Sequence, residues 1–330
     1  MAVINANVYS PAQWQLAIKT ESTYGTKNVG TMQLVNVDSG VSITDAPTIF
    51  NEYRSGSGRT KKSVDYFATE EGSLKTISFS GVADTTVLPI LLENCVGVAE
   101  SSGTVDVAYN YSGTSFKIGG TGAANIKSLT VALVSPIANN TRVYAGCVVD
   151  QLTITDDAGA DGGRRRFSAT LLSRDNPSND QATPSSMAVY GATYYSFWDL
   201  ETKKAVGGND MVMNKVELSI KSNVKIIGVG TDGKGEVIDR GVPGIEITGS
   251  IGVKYDANTM SLYQDFADGD DIVIQVSNHA TIGSASMGFK ATQCKFTGDL
   301  NPGDADGAVF IDIPFEVLAG TSGSMIEIAI

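Results

Sequence analysis

The chain has 330 residues, 42% of them hydrophobic, with 36 Gly, 9 Pro and a net charge of −12. That length suits two domains, and that composition excludes disorder and collagen. Residues 1–182 hold 14 Lys+Arg against 17 Asp+Glu and residues 183–330 hold 10 against 19, so neither half offers the clustered cations that a grip on nucleic-acid phosphates needs.

Alternation of apolar and polar residues marks a sheet with one buried face. It predicts strands at Met32–Val37, Thr76–Gly81, Lys127–Val134, Val143–Thr155 and Arg166–Leu172. Further strands are predicted at Tyr194–Leu200, Val216–Ile227, Ile245–Tyr255, Ile272–Val276, Phe289–Thr297 and Val309–Val317. Two short helices are expected. One follows Asp84 with Leu88, Leu91, Leu92 and Cys95 at helical spacing, and the other follows Asp256 with Met260 and Tyr263, Leu262 and Phe266 alongside. Long polar loops are expected at Pro47 to Gly72 and Gly228 to Gly244, and the polar, Pro-containing stretch Arg174 to Ser186 reads as a linker. Cys95, Cys147 and Cys294 stand at unrelated spacings and read as reduced core residues. The opening residues Met1 to Asn5 lack a basic stretch before an apolar core, and no run is long enough to cross a bilayer, so synthesis in a cytoplasm and no membrane partner are expected.

The predicted elements occur twice in the same order. The apolar positions of Leu129, Val131 and Leu133 recur at Ile272, Ile274 and Val276, an offset of 143 residues (272 − 129). Leu152 and Ile154 match Cys294 and Phe296 at 142, Arg166–Leu171 matches Phe310–Phe315 at 144, and Ile77–Gly81 matches Ile245–Gly249 at 168. Alternation alone fixes a period and not the order of blocks, so the sequence predicts one β-domain duplicated in tandem. The expected division is residues 1–176, a linker at 177–190, and residues 191–330.

Candidate sites are few. Gly228-Val229-Gly230-Thr231-Asp232-Gly233 matches the dinucleotide fingerprint, but the glycines and proline that follow it leave no helix to receive a pyrophosphate. Asp156–Gly162 and Asp299–Gly307 resemble calcium loops without the required register, and Phe310 stands where the second needs its bidentate Glu. His279 is the single histidine, with no serine elbow to partner it. Arg164, Arg165 and Arg166 could read phosphate, but three charges make no electrostatic footprint, so a hairpin flank paired with Asp156, Asp157 and Asp161 or with a neighbouring subunit is expected. No catalytic residue, cofactor or metal is therefore expected. The mixed charges of the first long loop, with Arg54, Arg59, Lys61 and Lys62 beside Glu52, Asp65, Glu70 and Glu71, suit docking to another protein's rim.

Several stretches together resemble one known family. They are Leu16 to Thr26, the long charged loop, Ser78-Phe79-Ser80-Gly81 ahead of a short helix, and Gly146 to Ile154 ahead of a Gly-rich hairpin. In that order they resemble the major tail tube proteins of long non-contractile-tailed bacteriophages. The resemblance implies mainly-β, tandem β-sandwich domains, each with one flanking helix, which lend strands to a ring-shaped inner β-barrel. It implies homotrimeric, pseudo-hexameric rings stacked into a tube in the virion tail, with tape-measure and terminator or tip proteins as partners. Six domains of four strands, at about 4.8 Å spacing and roughly 40° tilt, make a backbone circle about 48 Å across. DNA would pass through its acidic lumen without specific binding. In that setting Arg54, Arg59, Lys61, Lys62, Asp232, Lys234 and Arg240 on the two long loops are the expected inter-ring contacts. A tandem β-sandwich adhesin or capsid-decorating protein is the alternative.

Overall fold

The computed structural model describes residues 13–38, 41–44, 48–51, 66–69, 75–96, 109–112, 115–119, 127–137, 140–173, 184–191, 193–200, 202–229, 235–240, 245–282, 285–298, 309–319 and 324–330. The first half contains β1 (Gln15–Thr20), β2 (Thr31–Val35), β3 (Ser42–Thr44), β4 (Thr48–Asn51), β5 (Tyr66–Thr69), β6 (Lys75–Val82), α1 (Val87–Val96), β7 (Tyr109–Ser112), β8 (Ser115–Gly119), β9 (Leu129–Val134), β10 (Arg142–Asp157) and β11 (Arg166–Ser173). The second contains β12 (Ser186–Ala188), β13 (Lys203–Val206), β14 (Asn209–Asp210), β15 (Met213–Lys221), β16 (Val224–Val229), β17 (Gly235–Arg240), β18 (Glu246–Lys254), α2 (Ala257–Asp268), β19 (Ile272–Ser277), β20 (Gly288–Phe296), β21 (Phe310–Val317) and β22 (Ser324–Ala329).

The protein is mainly β, and its pairings follow one pattern twice. Neighbouring strands run β2-β1-β9-β10-β11-β6-β3 in the first half. They run β14-β13-β19-β20-β21-β18-β15 in the second. The two runs meet where the C-terminal part of β10 pairs with β15, from Gln151 opposite Lys221 to Asp157 opposite Lys215. One continuous antiparallel course therefore reads β3-β6-β11-β10-β15-β18-β21-β20. Layers branch from it at β10 and β20, and a single apolar cluster fills the space between layers, from Leu16 and Ile18 on β1 to Ile326 and Ile328 on β22. Among the described residues the ladders form an open sheet.

Register matches as well as order. Cys147 lies opposite both Leu129 and Ser173, and Cys294 opposite both Ile272 and Val317. Both helices start from the same device. Asp84 Oδ1 accepts the N–H groups of Thr86 and Val87 at 2.8 Å each, and Asp256 Oδ1 accepts those of Asn258 and Thr259 at 2.9 and 3.3 Å. The sequence offsets of 143 and 144 hold in these ladders. The other two shift: Cys147, not Leu152, stands where Cys294 stands (294 − 147 = 147), and the capping aspartates are 172 apart (256 − 84) rather than 168. Alternation repeats every two residues, so the slip of four is invisible to sequence pattern, and the slip of five is brought into phase by the irregularity of β10 between Val149 and Gln151.

Four expectations need correction. Tyr194–Leu200 is no strand: Ser196 Oγ accepts the N–H of Trp198, and Phe197–Asp199 turns as a 3-10 helix. Val216–Ile227 is split into β15 and β16, because Asn223 adopts a left-handed φ of 51° beside Ser222. The long loops contain strand pairs, with β4 on β5 and β16 on β17. The end of the expected linker forms β12, which pairs in parallel with β2 from Thr31 opposite Ser186 to Gln33 opposite Ala188.

Gly81 holds β6 against the chain leaving β2, since a Cβ there would sit 1.9 Å from the Asn36 carbonyl oxygen. All three cysteines are buried and none is in a disulfide. Burial pushes the Cys294 thiol from 9.0 up to about 12. The unfolded thiol ionises first, so the folded state loses stability as pH climbs through that window, by up to about 1.4 kcal/mol per pH unit. Denaturation of the wild type and Cys294→Ala between pH 8 and pH 11 is expected to show the steeper decline in the wild type. The native thiols are expected to stay unreactive toward an aromatic disulfide at pH 8 until denaturant is added.

Candidate assembly surfaces

The hairpin between β10 and β11 concentrates the basic cluster. Asp161, Gly162 and Gly163 all have positive φ, of 50°, 69° and 80°, which sends three successive arginines in different directions. Arg165 points inward. Its Nε and Nη2 donate to Asp156 Oδ1 and Oδ2 at 2.9 Å each, with the two side chains 3% and 5% exposed. Its guanidinium also lies 5.2 Å from the centre of the Tyr195 ring. Arg164 and Arg166 point outward and bind Asp161 at 2.7 and 2.6 Å, and Arg166 also binds Asp38. The hydrogen bond from Arg164, followed by its charge and those of Arg166, holds the Asp161 carboxyl below its usual range. Each guanidinium is engaged by a carboxylate of its own chain, Asp156 and Asp161 as expected and Asp38 in addition, while Asp157 Oδ1 accepts the N–H of Gly159.

A second buried carboxylate had no signal in the sequence pattern. Glu21 accepts hydrogen bonds from Gly25 N at 2.8 Å, Gly146 N at 2.9 Å, Ser128 Oγ at 2.5 Å and Thr130 Oγ1 at 2.8 Å. It thereby ties the end of β1 to β9 and to β10 at the irregularity between Tyr144 and Cys147. With both oxygens engaged this way, Glu21 organises backbone rather than chemistry.

The remaining motifs resolve into turns. Gly228 lies in β16 and β17 begins at Gly235, so a hairpin stands where a nucleotide site needs a helix. His279 is an exposed turn residue whose Nδ1 receives the N–H of Thr281 at 3.1 Å. Asp299–Gly307 lies outside the described residues. Among the described residues no three His, Cys, Asp or Glu side chains gather as a metal site, and no helix is long and apolar enough to cross a membrane.

Of the residues expected at inter-ring contacts, Arg54, Arg59, Lys61, Lys62, Asp232 and Lys234 lie outside the described residues. Arg240 closes β17, opposite Val224. The two hairpins occupy matching places. β4–β5 stands between β3 and β6, and β16–β17 between β15 and β18. Large apolar side chains are exposed at Trp198, Val212, Met260 and Tyr263. An open cleft of about 730 Å³ lies beside α1, lined by Thr85, Pro89, Tyr194, Asn278 and Met287 among others.

The described residues build an open, mainly-β sheet from two like-ordered runs of strands. The sequence model of the phage tail tube protein family matches residues 12–317, and the chain belongs to that family. Membership places it in the virion tail with a structural role. No curated protein matches the chain.

The Arg165–Asp156 pair gives a test of what the hairpin contributes. Asp156→Ala leaves a guanidinium buried and unpaired, and is expected to cost about 3–5 kcal/mol. Replacing both residues with apolar side chains of similar volume is expected to recover most of that loss. Denaturant midpoints of the three proteins measure it.

Proposed function

We propose that the chain is two tail-tube domains in tandem, and that three copies close into a ring of pseudo-sixfold symmetry which stacks into the tail tube of a long non-contractile tail. The observation that carries this reading is the β10–β15 seam. Two runs of equal order are already joined edge to edge within one chain, so one chain supplies two successive sixths of a ring. Each run gives four strands to the continuous course, β3-β6-β11-β10 and β15-β18-β21-β20. Three chains then supply twenty-four strands, the number that gives a backbone circle of about 48 Å.

The net charge of −12 fits a conduit. Like charge keeps a polyanion from adhering to the wall, so DNA slides through the lumen during ejection. Tape-measure and terminator or tip proteins are the expected partners at the tube's interior and ends. The protein performs no catalysis in this role.

Electron microscopy of the purified protein tests the reading. Three-fold rings or tubes are expected. Discrete, non-assembling particles would overturn it in favour of an adhesin or decorating protein.

The hairpin arms β4–β5 and β16–β17 join one ring to the next in this proposal, through Arg54, Arg59, Lys61 and Lys62 on the first and Asp232, Lys234 and Arg240 on the second. Contacts of this kind are rim-like and individually weak, so they orient stacking without being needed for folding. Reversing Arg54, Arg59, Lys61 and Lys62 to Glu is expected to leave folded protein that forms rings but elongates poorly, seen as short stacks by microscopy and slow sedimentation. Tubes of normal length from that variant would remove these residues from the interface.

A further inference from the structure

The continuous course β3-β6-β11-β10-β15-β18-β21-β20 has two faces. Ile77, Phe167, Ile154, Leu218, Ile251 and Phe315 point from it into the apolar cluster. Side chains alternate along each strand, so the residues between them form the other face, and there the ladders align hydroxyls. Ser80, Ser168, Thr153, Ser219 and Thr248 stand side by side across five strands. In the next row Ser42, Ser78, Thr170 and Gln151 do the same across four. None of these side chains is buried, and several bond to one another. Ser78 Oγ lies 3.3 Å from Thr170 Oγ1, and Gln151 Nε2 and Thr153 Oγ1 both donate to Ser219 Oγ at 3.2 Å.

This face continues into charge, and the charge is balanced. Its rows extend to Lys221 opposite Glu246 and to Glu316 opposite Lys295, while Glu217 stands beside Thr155 and Asp157 beside Lys215. With Arg166 and Asp312, these rows hold four cations and five anions, a balance of −1 where the whole chain carries −12. Each of the four cations has a carboxylate of its own chain at hand. Lys215 lies 3.5 Å from Glu217, Lys221 3.8 Å from Glu246 and Lys295 2.7 Å from Asp271, and Arg166 is held by Asp161 and Asp38.

A duplex is gripped when unpaired Lys and Arg replace the counterions of its phosphates. A face whose cations are already matched offers none, and hydroxyls carry no charge to exchange. We propose that this hydroxyl face is the wall along which DNA moves, and that it is kept from gripping phosphates by the pairing of each cation in place rather than by an excess of acid on the wall. The chain's remaining negative charge lies off this face, where it repels a polyanion from a distance; contact with the wall is governed by the pairing. This inference rests on the ring reading above and goes further by naming the surface that meets the polymer and how its adhesion is suppressed.

A Glu217→Gln, Glu246→Gln, Glu316→Gln variant leaves the lysines of the face in excess, and Asp265→Asn, Asp268→Asn, Asp270→Asn at the end of α2 changes the net charge equally elsewhere. Binding of a short fluorescent duplex to dissociated chains at low salt, read by anisotropy, is expected to be at least ten-fold tighter for the first variant than for the wild type or the second, and to fall away as salt is raised. Ser168→Lys with Thr248→Lys, which adds unmatched cations and removes no pair, is expected to do the same. Equal binding by the face and α2 variants overturns the proposal in favour of overall charge, and no gain from either face variant overturns it outright. In assembled tubes of either face variant, a gold-tagged duplex is expected inside the lumen by electron microscopy. Gold on the outer wall alone overturns the proposal while leaving the ring reading intact. A wild type that forms neither rings nor tubes overturns the ring reading and the wall with it.

Discussion

An antiparallel strand carries hydrogen-bonding groups along both edges, and a sheet that ends must cover, pair or blunt its last strand. That constraint organises this molecule. β10 meets it by serving three neighbours along its sixteen residues, with β9 and β15 in succession and β11 beside them. The handover from β9 to β15 is what allows the first run of strands to continue into the second. Around it the protein places its most constrained features: the buried Arg165–Asp156 pair near one end of β10, and the Glu21 carboxylate at the irregularity near the other.

These two polar centres have different physical roles. Glu21 gathers donors from β9, β10 and the turn after β1, so its carboxylate substitutes for ladder bonds where the strand geometry is broken. Arg165, just ahead of β11, reaches back to Asp156 on β10 and also contacts Tyr195, a residue of the second half. It therefore couples the hairpin to the segment that packs on the start of α1. A buried ion pair is weak evidence of net stability.

Much of the β organisation was legible in the sequence where strands are long and one-sided. β6, β11, β18 and β21 carry apolar residues at alternate positions along most of their length, β10 does so from Gln151 onward, and all were predicted within a few residues of their ends. β1 escaped because Leu16, Ala17 and Ile18 are all buried, so both faces are dry and alternation vanishes. β13 and β14 are only four and two residues long, too short to show a period. β22 did carry a signal, with Ile326 and Ile328 buried on either side of half-buried Glu327, and was overlooked. The surface of α2 was the least legible. Helical spacing at Met260 and Tyr263 predicts a helix correctly, but spacing cannot say whether an apolar face is covered by its own chain.

Covalent linkage across the β10–β15 seam also bears on how fast rings appear. Six separate domains closing a hexagon would need five productive encounters, each costing about 4–15 kcal/mol of translational and rotational freedom. In the proposed ring three of the six seams are intramolecular, leaving two encounters and one closure. Nucleation should then depend on a lower power of protein concentration, and partial rings should be fewer. The internal seam also acts at an effective local concentration that dilution cannot lower, so a ring that comes apart should yield whole chains whose internal seam stays closed.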